Sequence, residues 1–160
     1  MFDYFKKERA GIIKAFEDFS SDEFDKSRGL SFDSIRGVFV HTIMVEENWL
    51  HYRLAGKGEG TSKKLEDFKN LSDIKKYMTE VDAKTTSLFN RITLSDIKKE
   101  IKRPRPDGKE DVYTVETILY HLPIEIIHHY GEIFSEFWKM NINAPYYPYL
   151  LYVRDKNASK

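Results

Sequence analysis

A glutamate and a histidine four residues apart, Glu125 and His129, are the side chains of this sequence best suited to chemistry. On a helix they lie one turn apart and are rotated by only about 40° from each other. Both fall within the apolar stripe of their segment, where a carboxylate and an imidazole are unfavourable without a partner. A metal ion would be such a partner, and a third ligand from another helix would leave positions open for water. His41 is the leading candidate for that third ligand.

The histidines also have simpler interpretations. His129 taken alone could be a core histidine with Glu125 as its hydrogen-bond partner, but the inward-facing pair favours a metal. His121 and His128 lie towards the margin of the apolar stripe, so we expect them at the surface or behind the ligands. His51 lies near the end of its helix and is expected at the surface.

Other charged residues could assist a site or simply face water. Glu46 and Glu47 follow the candidate histidine of the second helix, and one of them could orient a ligand. We expect a solvated helix face for both. Arg103, Arg105 and Lys109 could recruit an anionic substrate, although a solvated turn is the simpler interpretation.

The pattern of apolar residues, caps and turns predicts an all-α protein, an antiparallel four-helix bundle with a small β-hairpin insertion before the last long helix. A glycine-rich loop at 56–60 follows the second helix, and Ser20 to Asp22 reads as a polar connection. Pro123 should interrupt the last helix and bend it just before Glu125, and the aromatic tail should pack back on the bundle. The predicted helices span 3–18, Ser31 (as N-cap) to Leu54, 72–91 and Thr114 (as N-cap) to Met140, with the hairpin at 97–113 and the tail at 144–154.

Composition limits the possible classes of protein. A chain of 160 residues with 41% hydrophobic residues suits one globular domain, residues 1–160, and no apolar run approaches the length of a membrane span. Lys and Arg number 26, as do Asp and Glu, so the zero net charge argues against bulk electrostatic binding of nucleic acid. The absence of cysteine excludes disulfides and a cysteine nucleophile. The first residues lack a signal peptide's apolar stretch, so we expect a cytoplasmic protein.

These residues resemble the pattern of the DinB/YfiT-like family of metal-dependent enzymes, and the resemblance extends over nearly the whole chain. That family has a histidine midway along the second helix, followed by an acidic residue and an aromatic residue; here these are His41, Glu46 and Trp49. It also has His-x-x-x-His followed by Arg-Gly-Gln on the last long helix, which corresponds here to residues 125–132. The hairpin and the Pro-containing, Leu- and Tyr-rich terminal segment also match.

Three residues depart from the family pattern. Glu125 stands where the family has the first histidine of the pair, Tyr130 replaces its arginine and Glu132 its glutamine. The resemblance therefore carries over His41 and His129 by identity and Glu125 by position only. Two histidines and one carboxylate suit zinc hydrolases and non-haem iron sites.

The resemblance implies a helical bundle, usually a homodimer, that holds a divalent metal ion in a cleft, with zinc or nickel favoured over iron. Relatives in the family include thiol S-transferases and a mycothiol-dependent isomerase. We therefore expect a metal-dependent hydrolase or low-molecular-weight-thiol S-transferase that acts on a small molecule. Tyr130 and the tyrosines of segment 146–152 could line its pocket, although core or dimer packing is the preferred interpretation.

Three other classes compete with this interpretation. A ferritin-like di-iron protein is suggested by the spacing of Glu125 and His128, but no second Glu-x-x-His exists in the sequence. A non-catalytic, stress-associated dimeric scaffold would have kept the bundle and a degenerate metal site. A DNA-associated protein is disfavoured by the zero net charge, and we expect neither nucleic-acid nor membrane partners.

Overall fold

The computed structural model describes residues 1–58 and 60–158, which are mostly helical with one two-stranded antiparallel sheet. Glu59, in the predicted glycine-rich loop, and the last two residues lie outside the described residues. The sheet pairs β1 (Glu100–Pro104) with β2 (Glu110–Thr114), as the hairpin prediction required. A π-helical turn, Asn48–Arg53, extends the third helix, and a 3-10 turn, Leu65–Asp67, precedes the fourth. The α-helices are α1 (Phe2–Phe16), α2 (Ser21–Asp25), α3 (Ile35–Glu47), α4 (Leu71–Phe89), α5 (Val115–Lys139) and α6 (Tyr149–Ala158).

Side-chain caps determine where the two helices nearest the candidate site begin. Thr114 caps α5 as predicted, with its hydroxyl accepting from Thr117 N at 3.1 Å. The predicted N-cap at Ser31 was wrong. Ser34 caps α3 instead, and its hydroxyl accepts from Gly37 N at 3.0 Å. Ser31 stays in the preceding loop, where it is available to the candidate site.

Two short helices differ from the sequence-based expectation. The polar connection after α1 forms α2, because the Ser20 hydroxyl caps it by accepting from Glu23 N at 3.2 Å. The aromatic tail packs back on α1, as predicted, and also forms α6. The ring centroid of Tyr4 lies 5.2 Å from that of Tyr149 and 5.5 Å from that of Tyr152. These ring contacts hold the C-terminal segment against α1.

The core forms where the four longest helices, α1, α3, α4 and α5, meet. Helices α1 and α3 each contact both α4 and α5. Burial of each large apolar side chain contributes about 1.5–3 kcal/mol. The predicted interruption at Pro123 was wrong, because α5 continues through this residue as one helix. Among the described residues, we find no helix whose length and apolar character would suit a membrane span. Fully buried core side chains include Ile12, Ile35, Val38, Phe39, Ile43, Ile74, Val81, Ile126, Ile133 and Phe137.

Candidate metal centre

Helices α3 and α5 bring together the three residues that the sequence analysis singled out. Glu125 Oε1 lies 3.3 Å from His129 Nε2 and 4.0 Å from His41 Nε2. One donor atom from each residue lies within 4.8 Å of the other two. His129 is buried, whereas His41 and Glu125 keep 24% and 34% of their side chains exposed, so small molecules can reach the group from solvent.

Packing of α3 against α5 fixes the separation of the two histidine-bearing backbones. Val38 and Ile43 on α3, and Ile126 and Ile133 on α5, are fully buried on either side of the site. Because Glu125 and His129 lie four residues apart, one turn of α5 presents both side chains to the same neighbour. The third residue of the group therefore depends on tertiary packing, while the other two depend on helical spacing.

A loop before α3 covers one side of the group. The ring of Phe32 stacks on the imidazole of His41, with centroids 3.6 Å apart and planes inclined by 20°. The loop can lie this close to α3 because residue 37 is glycine: a Cβ atom there would lie 2.1 Å from the carbonyl oxygen of Phe32. The loop thus orients one imidazole and shields it from water.

The same loop supplies hydrogen bonds that hold the second imidazole through Glu132. Ser31 donates its N–H to Glu132 Oε2 at 2.9 Å and its hydroxyl to Oε1 at 2.8 Å. Glu132 Oε1 in turn lies 2.8 Å from His129 Nδ1. A carboxylate that accepts a hydrogen bond from Nδ1–H keeps the proton of the neutral imidazole on Nδ1. The lone pair of His129 is then on Nε2, which faces Glu125 and is free to bind a metal ion.

Glu132 stands where the family pattern has a glutamine, and its role at the site was not predicted from the sequence. Its position three residues after His129 was the available signal, because side chains at that spacing meet on a helix.

Electrostatics favour the neutral form of the first imidazole. Burial lowers the pKa of His41 to about 4, and the neighbouring His129 acts in the same direction, although Glu125 and Glu132 oppose it. Burial would raise the pKa of Glu132, but its hydrogen bonds with Ser31 and His129 outweigh that effect and lower it. A neutral imidazole is the form that binds metal ions.

The donor set fits a divalent ion. Within the part of the chain that the structure describes, no lysine or arginine forms an ion pair with Glu125 or Glu132. Three ligands held about 2 Å from a zinc ion in tetrahedral geometry lie roughly 3.3 Å apart. The distance from Glu125 Oε1 to His129 Nε2 matches this value, and the distance to His41 Nε2 is longer, at 4.0 Å. Two imidazole nitrogens and a carboxylate oxygen also match the ligand types that zinc, nickel and iron accept. His41, Glu125 and His129 therefore form a group that could hold such an ion.

The prediction of a solvated face for Glu46 and Glu47 was wrong. Glu46 is only 2% exposed, and its carboxylate accepts from Arg9 Nη2 and from the Thr85 hydroxyl, both at 2.5 Å. Glu47 is 1% exposed and accepts from the Tyr77 hydroxyl at 2.8 Å. Neither carboxylate is hydrogen-bonded to a histidine of the candidate site.

Arg9 lies at the centre of this second polar group. It is 1% exposed, donates from Nη1 to Asp82 Oδ1 at 2.9 Å and from Nε to the Tyr130 hydroxyl at 3.3 Å. We call Arg9, Glu46, Asp82, Thr85 and Tyr130 the arginine cluster. Core or dimer packing was the preferred interpretation of Tyr130, and its burial and its hydrogen bond from Arg9 place it in the core.

The remaining histidines lie outside the group. His128 is exposed, which agrees with the expected surface position. His121 is half-buried, and its ring centroid lies 5.4 Å from that of Trp49. The surface position expected for His51 was wrong, because it is half-buried and its Nε2 lies 3.0 Å from the Thr85 hydroxyl.

Comparison with family models finds the DinB family, whose model matches residues 1–137. The protein belongs to the DinB family. The match covers the helices that carry His41, Glu125 and His129. A comparison with curated proteins finds no match for this DinB family member.

Proposed function

We propose that this DinB family protein is a divalent-metal-dependent enzyme in which His41, Glu125 and His129 are the ligands. The observation that carries the proposal is the convergence of the three donor atoms within 4.8 Å, with no lysine or arginine paired to the carboxylate among the described residues. Contacts of α3 with α4 and α5, and of α1 with the same two helices, support the four-helix bundle as its scaffold.

The proposed reaction uses a water molecule or a low-molecular-weight thiol as nucleophile, which makes the protein a hydrolase or an S-transferase. A divalent ion in the site would lower the pKa of such a nucleophile. The protein's own residues hold the site ready: Glu132 and Ser31 set the orientation and tautomer of His129, and Phe32 holds the ring of His41. Zinc or nickel is the proposed ion, with iron as the alternative.

We also propose a homodimer. Helix α5 carries large apolar side chains on its outer surface, at Tyr120, Ile124, Ile127 and Trp138, which are between 51% and 69% exposed. Their spacing of four, three and eleven residues places them on one face, as in a helix that packs against a second copy. Sedimentation velocity would test this: wild type should be dimeric and Ile127→Glu monomeric, while a monomeric wild type contradicts the dimer.

A non-catalytic, stress-associated dimeric scaffold is the competing function. Glu125 in place of a histidine supports it, because loss of a ligand often accompanies loss of chemistry. The two functions differ in one measurable property, since an enzyme of the proposed kind must bind a metal ion and a scaffold with a degenerate site need not.

The metal content of protein purified without added metal tests the proposal. Wild type should carry close to one ion per chain by mass spectrometry of the metal, and His41→Ala, Glu125→Ala and His129→Ala should each lose it. His128→Ala is the matched control, because this exposed histidine is the neighbour of His129 and should not affect metal content. Metal-free wild type that also fails to bind zinc, nickel and iron in calorimetry would contradict the enzyme and favour the scaffold.

A further inference from the structure

A cleft of about 320 Å³ opens between the hairpin, the start of α5 and the π-helical turn. Its size lies at the lower end of the range of ligand pockets, which runs from about 300 to 1,000 Å³. Its lining is partly aromatic, and the ring of Trp49 packs edge-to-face against two other lining rings, with centroids 5.8 Å from that of Tyr113 and 5.4 Å from that of His121. The residues that line it are Trp49, Arg103, Tyr113, Thr117, Ile118 and His121.

On α5, the cleft lies one helical turn before the candidate metal centre. His121 precedes Glu125 by four residues on α5, which is about 6 Å along the helix axis. Trp49 follows His41 by eight residues on the continuous segment formed by α3 and its π-helical turn. A small molecule in the cleft would therefore have one end near the group formed by His41, Glu125 and His129.

Arg103 is the one arginine among the residues that line the cleft, and no described residue neutralises its charge. A second guanidinium, that of Arg53, lies 4.6 Å from the centre of the Trp49 ring. Its buried Nε has no hydrogen-bond partner, and its guanidinium forms no ion pair with any described residue. Arg105, two residues later, behaves differently, because it pairs with Asp107 at 3.0 Å and with Asp111 at 3.5 Å. None of the residues lining the cleft is acidic. An arginine left without a carboxylate beside aromatic walls is a ready site for an anion.

The described side chains also supply two further polar groups. The Tyr113 hydroxyl and the imidazole of His121 line the cleft and make no hydrogen bond with other described residues. The guanidinium fork of an arginine matches a carboxylate in charge and shape, because two parallel N–H groups can donate to its two oxygens. The aromatic walls of Trp49 and Tyr113 suit a flat, apolar body attached to that carboxylate.

We infer that this cleft binds the substrate of the DinB family protein, and that the substrate is a small, planar organic acid whose carboxylate is held by Arg103; this inference rests on the proposed function. Arg103 positions the substrate beside the metal centre and takes no part in bond breaking. Of the three hairpin cations that the sequence analysis considered for anion recruitment, the structure thus selects one. Arg105 is paired, and Lys109 is exposed on the turn.

Fluorescence of Trp49 provides a direct test with benzoate as the probe. The chain has two tryptophans, so Trp138→Phe leaves Trp49 as the reporter. Protein treated with chelator is titrated with benzoate and with benzamide, its neutral counterpart of the same shape. Benzoate should change the Trp49 emission, and Arg103→Met in this background should weaken its binding by roughly tenfold or more, as loss of a charge-assisted hydrogen bond predicts.

Two control variants show whether benzoate binding depends on the charge of Arg103 itself or on the overall charge of the hairpin. Arg105→Met removes a cation of the same hairpin and should leave benzoate affinity unchanged, while Arg103→Lys should recover part of it. Thermal unfolding of each variant verifies that the hairpin and α5 remain folded. The inference is overturned if benzoate does not affect Trp49, if benzamide binds equally well, or if Arg103→Met and Arg105→Met behave alike.

The benzoate titration can fail or succeed independently of the metal-content test, because it is carried out on protein without metal. Arg103-dependent binding of benzoate to a protein that cannot hold a metal would overturn the proposed function and leave the anion site in place. Stoichiometric metal with benzoate binding that does not depend on Arg103 would overturn this inference alone.

Discussion

The arginine cluster and the candidate metal centre both place carboxylates next to the core, yet only the first contains a cation. In the arginine cluster, Arg9 contacts Glu46 at 2.5 Å and Asp82 at 2.9 Å. In the metal centre, Glu125 and Glu132 have imidazoles as their only ionisable partners among the described residues. The two sites share two helices, because Glu46 follows His41 on α3 and Tyr130 follows His129 on α5.

This difference separates a polar group that supports the fold from one arranged for a ligand. Arg9 is 1% exposed, and the carboxylates of Glu46 and Asp82 neutralise its charge, so the arginine cluster has no position left for an added ion. In the metal centre, acceptors and lone pairs converge and the group is partly open to solvent. Removal of a residue should therefore reduce stability in the first site and ligand binding in the second.

The largest expected effect is a loss of stability in Arg9→Met. The substitution leaves Glu46 and Asp82 buried or half-buried without a cation, and breaking a buried ion pair in this way costs about 3–5 kcal/mol of the free energy of unfolding. Replacing Glu46 by Gln in the same protein should restore part of that loss, because it removes the uncompensated charge. Urea unfolding at neutral pH measures both changes.

An exposed arginine supplies the control for this experiment. Arg154 pairs with Asp155 but has 68% of its side chain exposed, so Arg154→Met should change stability far less than Arg9→Met does. Zinc binding should persist in folded Arg9→Met, since the arginine cluster lies apart from the three proposed ligands. A loss below about 1 kcal/mol in Arg9→Met would mean that the two sites do not differ as argued.

Local signals explain what the sequence predicted well about the fold. The cap at Thr114, the apolar period of α5 and the hairpin of β1 and β2 are local features. Each is specified by residues that lie close together in the sequence. Ser31 and Ser34 look alike as caps, and only tertiary contact separates them. Ser31 is held by Glu132, which lies 101 residues away in the chain.

In the candidate site, too, local spacing could be predicted from the sequence and tertiary contacts could not. Helical spacing alone was enough to pair Glu125 with His129, whereas His41 could join them only once α3 and α5 were known to be neighbours. Glu46 was misassigned to a solvated face because Arg9, its partner, lies 37 residues earlier on α1. No periodicity within α3 reveals a cation supplied by another helix.

A smaller effect is expected in Glu132→Ala, which sharpens the comparison at the metal centre. The carboxylate of Glu132 accepts from His129 and Ser31, so its loss should free the imidazole to rotate and reduce its basicity. Zinc affinity measured by calorimetry should fall about 10- to 100-fold, or roughly 1.4–2.7 kcal/mol. Stability without metal should change much less than in Arg9→Met.

The conservative variant tests the hydrogen bond itself. Glu132→Gln keeps an oxygen that can accept from His129 Nδ1, so it should retain more zinc affinity than Glu132→Ala. Unchanged affinity in Glu132→Ala would show that the loop and this glutamate have no part in metal binding, and the centre would then consist of the three proposed ligands alone.

The smallest expected effect is the contribution of Glu46 to the pH dependence of stability. Burial would raise the pKa of Glu46, but the charge of Arg9 and hydrogen bonds from Thr85 and Arg9 outweigh it, so its pKa lies below the ordinary 4.5. The unfolded chain therefore binds a proton at a higher pH than the folded one. The stability that ionised Glu46 contributes is fully present above about pH 4.5 and is lost as pH falls through the lowered pKa, by at most about 1.4 kcal/mol per pH unit.

Glu8 gives the matched experiment of opposite sign. Burial raises the pKa of Glu8 above 4.5 despite its hydrogen bonds with Tyr4 and Tyr147, so its contribution is present below about pH 4.5 and is lost as pH rises through the raised pKa. Urea unfolding from about pH 7 to pH 3 should show the advantage of wild type over Glu46→Gln shrinking in acid. The stability of wild type relative to Glu8→Gln should instead increase in acid. The same trend in both pairs would contradict the view that Arg9 sets Glu46 apart, because a general acid effect would then explain both.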